Sequence, residues 1–159
     1  MNRQEAIMLY QTSLKFILPI VEDFEEKDAD FAPGEGAMTV VQQIRHTALS
    51  VHWFWEGAFS GNGFDMDFEG HMAEARKPST VAEAVQFLKD CHNDCITALE
   101  KMEDVELGEN MVANEIFGEV PKFIVFGPTS DHTAHHRGSL AVYLRLCGKT
   151  PRMIYAPEQ

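Results

Sequence analysis

Four long amphipathic stretches, separated by segments rich in glycine, proline and aspartate, most constrain what this chain can fold into. Within each stretch apolar residues recur every three or four positions, which is the period of one face of an α-helix. Such a helix has to bury its apolar face against other elements. We therefore predict an all-α protein, a four-helix bundle with long interhelical connections.

Capping residues locate the starts of the second and third helices. Thr39 is followed three residues later by Gln42, and Thr80 by Glu83, each just before an amphipathic run. This spacing lets the threonine hydroxyl and the later side chain satisfy backbone N–H groups at the helix start. We predict that the second helix runs from Thr39 towards Gly61, and that the third opens at Thr80.

Prolines complicate the first and last helices. The first should cover residues 3–26, although Pro19 should kink or split it. The last should end at Gly148, a residue type suited to the position after a helix. Its start has two possible positions, because Pro121 could begin a long helix kinked at Pro128, or Pro128 could begin a shorter one.

The connections at residues 61–79 and 103–120 are long. They allow crossovers in place of a simple up-and-down order, and the second has room for a short hairpin or a lid. A chain of 159 residues is the size of one domain, so we expect residues 1–159 to form a single domain.

Charge and cysteine content restrict the partners and the compartment that we expect. The net charge of −12 opposes binding to phosphate backbones and anionic membranes, so we expect no nucleic-acid and no membrane partner. The odd set of Cys91, Cys95 and Cys147 does not suggest a secreted disulfide framework. No early apolar run is long enough for a signal segment, and we predict a cytoplasmic protein.

Two histidines of the last predicted helix, His132 and His136, stand four residues apart. Four residues advance a helix by about 400° and roughly 6 Å, so both imidazoles project from one face and can converge on one cation. Two ligands leave a tetrahedral ion half filled, so a third donor has to come from elsewhere in the fold. His46, on an apolar stripe of the second helix, is the best candidate.

Each of these histidines also has a structural interpretation, as a core residue satisfied by a hydrogen bond, and the spacing alone leaves the choice open. His135 lies off the apolar stripe and is a weaker ligand candidate. Cys91 and Cys95, four apart with His92 between them, form a competing soft-metal pair. We interpret these two cysteines as small buried packing residues.

Two segments carry a resemblance to a known family. They are residues 30–46, DFAPGEGAMTVVQQIRH, and residues 132–151, HTAHHRGSLAVYLRLCGKTP. Together they resemble the DinB/YfiT-like family of helical-bundle metalloenzymes, and the match spans most of the chain. The resemblance implies a DinB-like bundle in which His46, His132 and His136 bind one divalent metal ion, with zinc or nickel as the usual metals.

The resemblance also implies an enzyme with a small-molecule substrate, and a homodimer. Three neutral imidazoles with one open coordination position suit catalytic zinc chemistry. The metal would activate a low-molecular-weight thiol, as in the thiol-dependent transferases that this chain resembles, or water for hydrolysis. No catalytic residue is assigned, since Glu56 and Asp131 are interpreted as solvated surface.

Residues beside the histidines have further expected roles. Trp53, Phe54 and Trp55 cannot all face one core, so at least one should line a pocket or a subunit interface, and the resemblance favours the interface. Arg137 should pair with a carboxylate or cap a loop, and Gly138 should allow close approach of another helix.

Two other functional classes stay open. One is a non-catalytic bundle that metal only stabilises, acting as an interaction or stress-response protein. The other is a hemerythrin-like di-iron protein, which would combine His52 and Glu56 with the HxxxH pair. The remaining ligands of such a di-iron site are missing from the sequence.

Overall fold

The computed structural model describes residues 1–155, and this part of the chain is helical without strands. Its α-helices are α1 (Arg3–Val21), α2 (Val40–Phe59), α3 (Phe68–Ala75), α4 (Val81–Lys101), α5 (Asp104–Gly108) and α6 (Phe126–Leu146). Two short 3₁₀ turns, Glu26–Asp28 and Lys122–Val125, precede α2 and α6. The predicted all-α class is confirmed.

The four long helices, α1, α2, α4 and α6, form a four-helix bundle. Both α4 and α6 pack against α1 and against α2, so neighbours around the bundle follow the order α1–α4–α2–α6. The successive long helices α1 and α2 are therefore diagonal to each other, which only a crossover connection allows. Side chains from all four helices fill the core, among them Ile17, Ile44, Leu88, Leu99, Phe126, Leu140 and Leu144.

Both predicted capping boxes are present. The Thr39 hydroxyl accepts from the Gln42 backbone N–H at 3.3 Å, and the Gln42 side chain accepts from the Thr39 N–H at 3.0 Å. Thr80 and Glu83 make the same reciprocal pair at 3.1 and 2.8 Å. The starts of α2 and α4 are thus set by contacts within four residues of chain, which is why the sequence predicts them well.

The predicted extents of the first and last helices need correction. α1 ends at Val21 and not at residue 26. Pro19 lies inside α1 and does not split it, because it removes only its own N–H and the N–H of Glu22 still donates to the carbonyl of Leu18 at 2.9 Å. Pro121 caps the 3₁₀ turn Lys122–Val125, which runs directly into α6. Pro128 is the third residue of α6, where a missing N–H costs nothing, so neither predicted start was right in full.

The two long connections are structured. The first carries α3, which the sequence analysis did not predict. The second carries α5 and a small antiparallel turn with bridges between Asn110 and Pro121 and between Asn114 and Gly118, as the hairpin prediction expected. No helix within residues 1–155 has both the length and the apolar character needed to cross a bilayer.

Candidate metal centre and its pocket

Three imidazoles meet between α2 and α6. The potential ligand atoms of His46, His132 and His136 all lie within 4.8 Å of one another. The Nε2 atoms of His132 and His136 are 3.3 Å apart. Two nitrogens bound to one tetrahedral zinc ion are separated by roughly 3.3 Å, given zinc–nitrogen bonds of about 2.0–2.1 Å. The donor set therefore fits a divalent cation.

Burial keeps this group of imidazoles neutral. Burial, helped by the neighbouring imidazoles, lowers the pKa of His132 to about 4 and that of His136 to about 3. The pKa of His46 is also lowered, first by burial and then by His135 and His71. Neutral imidazole is the form that binds metal. The Nδ1 atom of His136 is buried without a hydrogen-bond partner among residues 1–155.

A pocket of about 150 Å³ opens beside the three imidazoles. Its wall consists of His46, Leu49, Ser50, Trp53, Phe54, Phe68, His71 and His132. Two of the clustered histidines thus share a small cavity with mainly aromatic and aliphatic side chains. A wall of this kind limits water beside the imidazoles and strengthens electrostatic interactions there.

Helix α3 forms one side of this pocket with Phe68 and His71. Side chains of α2 donate hydrogen bonds to the α3 region at both of its ends. The indole N–H of Trp53 donates to the carbonyl of Asp65 at 2.6 Å, and the guanidinium of Arg45 donates to the carbonyl of Glu74 at 3.1 Å. These bonds hold both ends of the α3 region over the pocket.

Neither α3 nor the place of His71 in the pocket was predicted from the sequence. Signals for the helix were available, since Asp67 is a good N-cap residue and Phe68, Met72 and Ala75 have helical spacing. The Asp67 side chain does accept from the backbone N–H of Gly70. No local signal places His71 beside residues of α2 and α6.

A wider groove of about 430 Å³ adjoins the pocket and shares part of its wall, namely Leu49, Trp53 and His71. The remaining lining residues are His52, Glu56, Ser60, Asn62, Gly63 and Asp65. Neither lining set contains a lysine or an arginine. The two cavities together form a cleft that is apolar near the imidazoles and polar and acidic farther out.

Residues 10–140, most of the chain, match the family model described as the DinB superfamily. The chain belongs to the DinB superfamily. Among curated protein sequences none matches it significantly.

Solved structures resemble this DinB-superfamily chain over nearly its full length. A DinB-like protein from Bacillus cereus ATCC 10987 has a TM-score of 0.77 at 17% identity, covering 96% of this chain and 97% of that one. YfiT from Bacillus subtilis, described as a probable metal-dependent hydrolase with an unusual four-helix bundle topology, has a TM-score of 0.72 at 16% identity, with 93% and 89% covered. At such identities the likeness establishes the fold.

A third similar structure corrects the expectation about nucleic acid. The colibactin self-resistance protein ClbS, solved in complex with double-stranded DNA, has a TM-score of 0.66 at 14% identity, covering 92% of this chain and 96% of that one. A protein with this fold therefore binds DNA, and the exclusion of nucleic-acid partners was wrong. Net charge is a sum over the whole surface, and it does not exclude a local binding face.

Other polar residues near the ligand candidates in the sequence lie outside the three-histidine cluster of this DinB-superfamily chain. His135 and Asp131 are exposed, and His135 lies outside the cluster of three. Glu56 is exposed on the wall of the outer groove. His52 lies 3.6 Å from Asp94, and the three-histidine cluster found in residues 1–155 contains neither His52 nor Glu56, the pair that the di-iron alternative needs.

The cysteines of α4 are core residues, whereas the three consecutive aromatic residues Trp53, Phe54 and Trp55, the aromatic triplet, have different surroundings. Cys91 and Cys95 are buried free thiols, and burial raises the pKa of each to about 12, consistent with packing residues. Trp53 and Phe54 line the pocket. Trp55 stacks on Phe59 with ring centroids 4.2 Å apart. The aromatic triplet therefore includes pocket residues, the alternative that the resemblance did not favour.

Arg137 and Gly138, which follow His136 in the sequence, do not make within residues 1–155 the contacts that were expected of them. The guanidinium of Arg137 lies 5.6 Å from the ring centroid of Phe16 and donates to the Tyr155 hydroxyl at 3.3 Å. Gly138 is exposed, and a Cβ atom there would meet nothing within 4 Å. The prediction that Gly138 allows close helix approach was wrong.

Proposed function

We propose that this DinB-superfamily chain is a divalent-metal-dependent enzyme that activates a small thiol for attack on an electrophilic substrate. His46, His132 and His136 would hold one ion, zinc or nickel. The observation that carries the proposal is the meeting of three neutral imidazoles beside a pocket of about 150 Å³. Such an ion, when bound, supplies Lewis acidity that lowers the pKa of a thiol or of water.

The chain's own side chains hold and shield this site. Burial lowers the pKa of all three imidazoles, which favours the neutral form that binds a cation at pH 7. The apolar wall and α3 limit water beside the imidazoles, which favours a nucleophile with little hydration. Trp53 is held in place by its bond to Asp65 and keeps one side of the pocket fixed.

The raised pKa values of the chain's own cysteines support the use of a thiol from solution as the nucleophile. Burial raises the pKa of Cys91 and Cys95 to about 12, and it also raises the pKa of Cys147. Only the thiolate is an effective nucleophile, so none of the three is suited to attack a substrate at neutral pH. A transferase of this kind would take its sulfur from a small thiol in solution.

Hydrolysis is a second candidate function, because YfiT is described as a probable metal-dependent hydrolase. The same three histidines would serve, with water in place of the thiol. Thiol transfer and hydrolysis therefore differ in their co-substrate and not in their metal ligands.

Cobalt substitution and turnover together test the proposal. The full chain, purified without an affinity tag and loaded with cobalt, should change its visible spectrum on addition of 2-mercaptoethanol. The zinc or nickel form should then convert 1-chloro-2,4-dinitrobenzene at a rate that depends on the thiol. Metal-dependent hydrolysis of p-nitrophenyl acetate without any response to thiol would favour the hydrolase. A metal-loaded protein inactive in both assays would support the non-catalytic alternative.

The domain organisation, the oligomeric state and the cellular compartment of the protein are further proposals. We propose that residues 1–159 form one DinB-like domain, that the protein is a homodimer, and that it works in the cytoplasm. The three free cysteines support a reducing compartment. Light scattering coupled to size exclusion measures the oligomeric state directly, and a monomeric mass would contradict the dimer.

A further inference from the structure

The size of the pocket beside the imidazoles suggests what can occupy it. A cavity of about 150 Å³ lined by apolar side chains is large enough for benzene. The pocket here has this volume. Its wall includes Trp53 and Phe68, whose ring centroids are 6.0 Å apart, and Phe54. Aromatic walls favour an aromatic guest, because rings pack edge-to-face or offset against one another.

The charge of the side chains that line the cleft also limits the charge of the ligand. Neither the pocket nor the outer groove is lined by lysine or arginine, and the groove presents the carboxylates of Glu56 and Asp65. A carboxylate or phosphate on the guest would lose its hydration without gaining a fixed positive partner from these side chains. The lining therefore favours an uncharged group.

We propose that this pocket is a subsite for a small uncharged aromatic group of the electrophilic substrate, held against Trp53 next to His46 and His132. The assignment to a substrate rests on the proposed function, since it is the metal site that would make an adjacent group reactive. Occupancy of the subsite, however, needs only the pocket wall. The subsite and the metal function can thus be tested separately.

The chain offers its own reporter for this test. Trp53 and Trp55 are its only tryptophans. Trp55 stacks on Phe59 and does not line the pocket. The Trp55→Phe protein therefore reports emission from Trp53 alone.

Two serines form a matched pair for blocking the pocket. Ser50 lines it, and its hydroxyl donates to the carbonyl of His46 at 2.9 Å. Ser139 makes the same kind of bond, to the carbonyl of His135 at 3.2 Å, and is not part of the lining. Ser50→Phe should fill the pocket, whereas Ser139→Phe adds the same ring elsewhere on a histidine-bearing helix.

The experiment titrates the full-length Trp55→Phe protein, metal-free and zinc-loaded, with benzyl alcohol. We expect a saturable change in Trp53 emission in both forms, and intermolecular NOEs between the benzyl ring and the Trp53 indole. Affinity should fall by about tenfold or more with Ser50→Phe and stay within about twofold with Ser139→Phe. Benzoate should bind the metal-free protein about tenfold more weakly than benzyl alcohol.

Several results would overturn the proposal. They are the absence of NOEs to Trp53, unchanged affinity in a folded Ser50→Phe protein, and binding of benzoate to the metal-free protein as tightly as benzyl alcohol. The NOE measurement needs no pocket substitution, so it decides the question even if Ser50→Phe does not fold. Ring binding in a protein that takes up no zinc would support the subsite and contradict the proposed metal function. Zinc uptake without ring binding would contradict the subsite alone.

Discussion

His46 on α2 and His136 on α6 are ninety positions apart in the sequence, yet their ring centroids lie 4.9 Å apart with an interplanar angle of 80°. This approach depends on α2 and α6 being neighbours in the bundle. The HxxxH pair alone provides two donors, and the packing of α2 against α6 provides the third. The candidate metal site is therefore a property of the assembled bundle.

Replacing His46 should remove most of the metal affinity. Loss of residues that only support a metal ligand costs 10- to 100-fold, so His46→Ala should weaken zinc binding by about a hundredfold or more. Competition with a chromophoric chelator measures this change. His135→Ala is the control, because His135 lies beside the cluster without belonging to it, and it should keep the affinity within about threefold. Equal losses from the two variants would contradict the assigned ligand set.

Lys149 should contribute to stability through the buried carboxylate of Asp28. Its ammonium donates to Asp28 at 2.6 Å and to the carbonyl of Asp23 at 2.9 Å. Lys149→Met would leave the Asp28 carboxylate without this partner, and we expect a loss of roughly 2–3 kcal/mol in chemical denaturation at pH 7. Lys89→Met removes a more exposed pair with Glu22 and should cost less than about 1 kcal/mol. Similar losses in both variants would contradict the role assigned to burial.

The contribution of the Lys149–Asp28 ion pair to stability should disappear in acid. Burial alone would raise the pKa of Asp28, but the bonds from Lys149 and the Glu25 backbone, with the charges of Lys149 and Lys27, lower it below its ordinary value of 3.8. The stabilisation is present above pH 3.8 and is lost as the pH falls through the lower folded-state pKa. The difference between wild type and Lys149→Met should therefore shrink at pH 2–3. A constant difference would show that Asp28 does not carry the effect.

His92 should make the fold sensitive to mild acid. It is fully buried, Leu88 accepts a hydrogen bond from its Nδ1 at 2.9 Å, and its Nε2 has no partner among residues 1–155. Burial lowers its pKa to about 4, the bond to Leu88 opposes this, and His52 adds to it. The neighbouring Tyr10 has no charge to offset a proton, because burial raises its pKa.

The stability from neutral His92 is complete above its ordinary pKa of 6.5 and falls as the pH drops towards 4. We expect a contribution of roughly 3 kcal/mol across this interval. Urea denaturation of metal-free wild type and His92→Gln should show a shallower decline in the variant and a constant difference from pH 7 to 8. The two proteins differ only at position 92, so parallel curves from pH 6.5 to 4 would contradict the prediction.

Two helical glycines should respond oppositely to alanine. A Cβ atom on Gly57 would overlap the ring of Phe64, which packs on Trp53 with centroids 4.7 Å apart. Gly57→Ala should cost about 1–3 kcal/mol and shift Trp53 emission in the Trp55→Phe background. Gly138→Ala has open space and should stabilise α6 by about 0.5–1 kcal/mol. Thermal unfolding compares them, and a stabilised Gly57→Ala protein would contradict the packing described here.

Local chemistry made much of this protein predictable from its sequence. The helical period of the four long stretches indicated the fold class, and the Thr39 and Thr80 capping boxes located two helix starts. His132 and His136 share a helix face because four residues complete about one turn. Each of these features depends on residues that are close in the chain.

Features that depend on distant segments were not predictable in this way. The bundle order, the position of α3 and the presence of His71 in the pocket all follow from how separate helices share one core. The sequence alone determined the four long helices and placed His132 and His136 on one helix face. Only the tertiary structure decided which helix faces meet, because packing energy is summed over contacts between residues far apart in the chain.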